Sequence, residues 1–152
     1  MKSNKGFSLV ELIIVIAIMA ILVGVMAPQL IKYIEKSKVS ADTQAADAVH
    51  TAVLTAMMDP EVVNNTAYNT STVITNTGGM SVTSLTTGDV VGSAALEILG
   101  ETAGSNVNKR LKSTNATDIS FAVVGNNKVS VWVAGSDSRG SKSTSGYNIV
   151  VQ

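Results

Sequence analysis

The chain reads as an α+β protein in which a long N-terminal α-helix, transmembrane in its first half and amphipathic in its second, packs on a C-terminal antiparallel β-sheet. Three observations predict this. Leu12 to Ala27 carries no polar side chain, and Glu11 is the lone charge between Leu9 and Ala27. Beyond Pro28 the apolar residues recur at three-and-four spacing as far as Asp59-Pro60, the period of a half-buried helix. Near the C-terminus three short stretches alternate apolar and polar residues, the period of strands with one covered face.

A chain of 152 residues accommodates one domain and one membrane segment. Eleven basic and eleven acidic residues cancel, and no stretch has the Lys/Arg density of a phosphate-backbone binder, so no nucleic acid contact is predicted. Cysteine is absent, which excludes disulfides, thiolate metal sites and cysteine nucleophiles.

Taken in order, residues 1–6 form a short basic lead-in, 7–31 the membrane half of the helix, 32–58 its amphipathic half, and 59–152 a head that contains the sheet. The apolar run matches the roughly 20 residues that cross a bilayer core. A removed secretory signal fits less well: the run exceeds a usual h-region, and Pro28 would follow the cut after Ala27. Pro28 deletes one helical hydrogen bond and should bend or loosen the rod. Past it, Leu30, Ile31, Ile34, Ala41, Ala45, Ala48, Val49, Ala52, Val53, Ala56 and Met57 form one face, and Lys32, Glu35, Lys36, Asp42 and Asp47 the other. Asp59-Pro60 ends the helix.

Residues 61–87, rich in Asn, Thr and Ser, are expected to be loop with one or two weak strands, at Thr72 to Thr77 and Met80 to Thr86. Asp89 to Leu99 is expected to be a short helix, burying Val91, Ala94, Ala95 and Ile98 and stopped by Gly100. Strands are expected at Asp118 to Val124, Lys128 to Ala134 and Tyr147 to Gln152. Ile119, Phe121, Val123, Val129, Val131, Val133, Tyr147, Ile149 and Val151 should face the alanine stripe of the long helix. Trp132 falls on the opposite face, where its ring should pack under the Asn/Thr-rich loop.

The most specific pattern is the N-terminal string Lys5-Gly6-Phe7-Ser8-Leu9-Val10-Glu11-Leu12 followed by the apolar run to Pro28. A basic lead-in ends in glycine, phenylalanine follows, and a single carboxylate stands four residues later. This string resembles the N-terminus of type IV pilins and the related pseudopilins and competence pilins. The resemblance is close over about the first 35 residues and elsewhere extends only to architecture. It implies that residues 1–6 are a leader, that a prepilin peptidase cuts between Gly6 and Phe7, and that the new Phe7 amine is N-methylated. A residue without a side chain at Gly6 lets an extended backbone enter a protease cleft closely.

Glu11 also stands out without the family, because a carboxylate in a membrane helix costs roughly 2.5 to 3.5 kcal/mol near the centre. Near the helix end it can instead snorkel to the headgroups. In the resembling family it pairs with the Phe7 amine, largely that of a neighbouring subunit. Ala17, Ala20, Gly24 and Ala27 form a small-residue stripe beside Pro28; such stripes permit close helix packing, although a generic apolar helix can also contain them.

Enzymatic features are thin. His50 follows Asp47 by three residues, as a solvated surface pair would. Gly135 to Ser143 nearly spells a phosphate-binding loop, but Ser141 separates Gly140 from Lys142. Asp137 alone cannot make a calcium loop, so no metal and no cofactor is expected. Asn64, Asn69 and Asn115 begin glycosylation sequons, which indicate surface loops.

The resemblance therefore implies a structural subunit. It would be held in the cytoplasmic membrane by one helix, then passed by a pilus assembly platform to an extracellular filament of identical or related pilin subunits. Adhesion, aggregation or motility would follow. A secretion pseudopilin or competence pilin is the nearest alternative, and a non-polymerising membrane-anchored binding domain a more distant one.

Overall fold

The computed structural model describes residues 8–114, 116–124, 128–135 and 150–151, with Gly135, Val150 and Val151 as backbone alone. Helix α1 spans Leu9–Met58 and is helical through Pro28. The chain divides into two compact units, Met1–Ser37 and Lys38–Gln152.

In the first unit every described side chain from Ser8 to Ile34 is exposed. Leu30, Ile31 and Ile34, expected on the buried stripe, are 60%, 68% and 47% exposed. They continue the exposed apolar surface of the helix's first half instead of joining the buried stripe.

The second unit holds the core. Its part of α1 buries Asp42, Ala45, Ala46, Val49, Ala52, Val53, Ala56 and Met57, a three-and-four stripe whose small members let other elements approach the helix axis closely. Asp42 corrects the sequence reading, which set it on the polar face. After Met58 the chain turns at Asp59, whose carboxylate accepts from the Glu61 amide at 2.9 Å and caps α2, Pro60–Val63, with proline in the first turn.

The Asn/Thr-rich segment departs from expectation at its first proposed strand. Thr72–Thr75 is a helical turn, α3, capped by Ser71. Strand β1 is only Met80–Ser81, because the Ser81 hydroxyl then accepts from the Thr83 amide and starts the single 3-10 turn Val82–Ser84. Helix α4, Val90–Leu99, matches its expected position. Asp89 is the N-cap, and Gly100 ends it in the left-handed conformation at φ 69°. Val91, Ala95 and Leu96 are buried, whereas Ile98 is 47% exposed, since it falls in the last turn on an open groove beside Gln44, Asp47 and Arg110.

A short helix not foreseen in the sequence, α5, Gly104–Asn108, packs on the 3-10 turn. A Cβ on Gly104 would lie 1.8 Å from the Val82 carbonyl oxygen, so only glycine allows this approach.

Strands β2, Ala116–Val124, β3, Lys128–Gly135, and β4, Val150–Val151, join β1 in an antiparallel sheet of order β1-β2-β3-β4. The register sets Ile119 opposite Val133, Phe121 opposite Val131 and Val123 opposite Val129. All six are buried and share one cluster with Val49, Val53, Met57, Val91 and Leu96, at roughly 1.5 to 3 kcal/mol for each large side chain removed from water. The α+β class and the facing residues of β2 and β3 are therefore as expected. The Trp132 ring lies against Gly79 of the Asn/Thr-rich segment, where a Cβ would come within 2.6 Å of it. Tyr147, Ile149, Gln152 and the 136–146 loop lie outside the described residues, as do Gly6, Phe7 and Asn115.

Candidate functional site: the N-terminal helix

The helix begins with a side chain reaching back to its first residues. Ser8 precedes its first residue, the Leu12 amide donates to the Ser8 carbonyl at 3.2 Å, and the Ser8 amide donates to Glu11 Oε2 at 2.9 Å. Ser8-Leu9-Val10-Glu11 thus has the spacing of a capping box, with the carboxylate reaching back to the capping residue. Glu11 also lies in the first turn, where the helix dipole favours negative charge. One carboxylate oxygen holds the helix end, which leaves the other available. The serine three residues before Glu11 was the signal for this contact, and sequence reasoning passed over it.

The apolar half that follows has no cover within the described residues. Its most apolar 18-residue window averages a mean hydropathy of 3.0, and none of it is buried. Leu12, Ile16, Ile21 and Val25 are 61%, 55%, 68% and 65% exposed. At roughly 25 cal/mol for each Å² of apolar surface in water, such a surface requires lipid or other protein around it. Ala17, Ala20, Gly24 and Ala27 are all exposed beside Pro28, and a Cβ on Gly24 would meet nothing within 4 Å. The helix itself therefore imposes no steric need for glycine there.

Away from the N-terminus the polar side chains serve the fold. Asp42 is fully buried and accepts from the amides of Lys112 at 2.6 Å and Ser113 at 3.0 Å, tying α1 to the chain before β2. Asp89 accepts from the Gly92 amide, the Ser71 hydroxyl and the Thr72 amide, each at 2.8 Å. Asp118 takes the Ser81 hydroxyl at 2.7 Å and the Asn108 amide group, while Asn108 Oδ1 accepts from the Ile119 amide at 2.9 Å. Asp47 is exposed and His50 half-buried, and no described hydrogen bond or ion pair joins them. Among the described residues no three His, Cys, Asp or Glu side chains converge as metal ligands.

Among the described residues, an exposed apolar helix half with a carboxylate in its first turn adjoins an α+β head, and that half needs lipid or other protein around it. Comparison with known proteins agrees. Residues 1–27 match the family model described as the prokaryotic N-terminal methylation motif. The chain is 35% identical over 92 residues to a type IV major fimbrial protein FimA of Dichelobacter nodosus, covering 59% of each chain. It is 34% identical over 101 residues to another FimA of that organism, covering 64% of this chain and 63% of the relative. A fimbrial protein of Pseudomonas aeruginosa is 34% identical over 67 residues, 44% of either chain. The matches thus span less than two thirds of the relatives' length, and no solved structure matches the chain. Over the matched stretches the chain is thus similar to type IV fimbrial proteins, and its N-terminus carries their methylation motif.

Proposed function

We propose that the chain is a structural subunit of an extracellular type IV pilus. The observation that carries this is the pairing of the methylation motif with an apolar helix half that nothing among the described residues covers. In this reading the precursor sits in the cytoplasmic membrane by that helix. Prepilin peptidase cuts between Gly6 and Phe7, and the Phe7 amine is methylated. Subunits then leave the membrane for the filament, where neighbouring helices replace lipid around the apolar surface. The stripe of Ala17, Ala20, Gly24 and Ala27, next to Pro28, lets those helices approach closely.

Glu11 supplies the register. Its oxygen not engaged by Ser8 accepts from the Phe7 amine of a neighbour, and in an apolar filament core that charge pair is poorly screened. The subunit has no catalytic role here, and its partners are other pilin subunits, the peptidase and the assembly platform. The relatives are named as fimbrial proteins, which favours a pilus over a secretion pseudopilus.

Intact-mass measurement of protein sheared from cells tests the processing. The expected mass is that of a chain beginning at Phe7 with one added methyl group. Fibre protein that still begins at Met1 would overturn it.

A further inference from the structure

We infer that Lys32, Tyr33 and Lys36 form a binding site for the phosphate headgroup of anionic phospholipid in the far leaflet, occupied while the subunit waits in the membrane. The inference rests on the reading of the helix as a span with its N-terminus on the cytoplasmic side. The span fixes the depth. From Glu11 to Lys32 the helix rises about 30 Å at roughly 1.5 Å per residue, the thickness of a bilayer hydrocarbon core. With Glu11 at one interface, Lys32 and Tyr33 reach the other, and Lys36 lies one turn beyond.

At that level the helix is built for an anion. Gln29, Lys32, Tyr33 and Lys36 line one open groove. Lys32 and Lys36 are one turn apart on the same face, and both are exposed. Lys36 Nζ stands 5.9 Å from the centroid of the Tyr33 ring, and the ring is 67% exposed. Tyrosine at this depth sits at the headgroup level with its ring toward the chains, and the lysine stems can run along the apolar surface with the ammonium groups in the phosphate layer.

The placement is otherwise anomalous. Lysines usually mark the cytoplasmic side of a span, yet Lys32, Lys36 and Lys38, with Glu35 the one acid among them, outnumber Lys2 and Lys5 on the other side. Attraction to anionic lipid gives the far cluster a use that topology does not.

The test is lipid selectivity of the full-length chain reconstituted in phosphatidylcholine vesicles containing trace spin-labelled phosphatidylglycerol or phosphatidylcholine. The fraction of each lipid restricted at the protein is read by electron paramagnetic resonance. Wild type should enrich phosphatidylglycerol by about two- to fivefold at low salt, since each lysine near an anionic surface contributes up to roughly a fivefold factor, and high salt should remove the preference. Lys32→Gln/Lys36→Gln should lose most of it, whereas Lys2→Gln/Lys5→Gln should keep the larger part. Equal restriction of both lipids by wild type, or loss confined to the Lys2→Gln/Lys5→Gln chain, would overturn the site. Failure of the wild-type chain to float with the vesicles would overturn the span and the site together, while flotation without selectivity overturns the site alone.

Discussion

Asp42 and Glu11 are two carboxylates on one helix with opposite assignments. Asp42 is fully buried and accepts from the amide of buried Ser113 and from that of Lys112, whose side chain is exposed. Asp42→Ala removes the acceptor of both and leaves the buried Ser113 amide unpaired, at roughly 1 to 3 kcal/mol. Urea unfolding should show a loss of that size, with faster hydrogen exchange at the Lys112 and Ser113 amides. Asp42→Asn should lose less, because one acceptor oxygen remains; unchanged exchange in Asp42→Ala would contradict the tie. The position of Asp42 was legible in the sequence, since it precedes Ala45, Ala46 and Val49 at offsets of three, four and seven. Its acid type hid it: an aspartate on a core face is costly without partners, and these partners lie 70 and 71 residues away. Glu11 was conspicuous for the converse reason, a lone charge in an apolar run.

The long helix, α4 and the strands β2 and β3 were readable because each carries a sustained period and a stop signal. The small elements were not, and Asp89 shows why. One carboxylate caps α4 through the Gly92 amide and also takes the Thr72 amide and the Ser71 hydroxyl at the start of α3. Thr72 to Thr77 alternates like a strand, but six residues carry little local preference, and the Ser71 cap together with a carboxylate 17 positions away favours the helical turn. Helix α5 depends likewise on a close approach between Gly104 and Val82 that no local pattern encodes. Asp89→Ala removes the cap of α4 and the carboxylate that holds Ser71 and Thr72 at the start of α3, each worth about 1 kcal/mol, so it should destabilise the head by roughly 2 kcal/mol. A conventional single-cap loss of about 1 kcal/mol in denaturant unfolding would show that the link to α3 contributes nothing.

At the scale of the whole molecule, the two compact units differ in kind. Lys38–Gln152 closes a core of its own, whereas the helix from Leu12 to Ala27 presents exposed apolar side chains all round. That surface is met by lipid in a simple anchor and by sister helices in a filament. An anchor needs nothing from Glu11, and removing the charge would ease insertion. In a filament the loss leaves a neighbour's Phe7 amine in low dielectric without its partner, at about 3 to 5 kcal/mol. The most direct measurement therefore compares Glu11→Ala protein that has entered the membrane and lost its leader with fibres sheared from the same cells, in a strain lacking the normal copy. Normal insertion and cleavage with fibres reduced to a small fraction of wild type is the predicted result; normal cleavage with undiminished fibre yield would contradict the assembly role of Glu11.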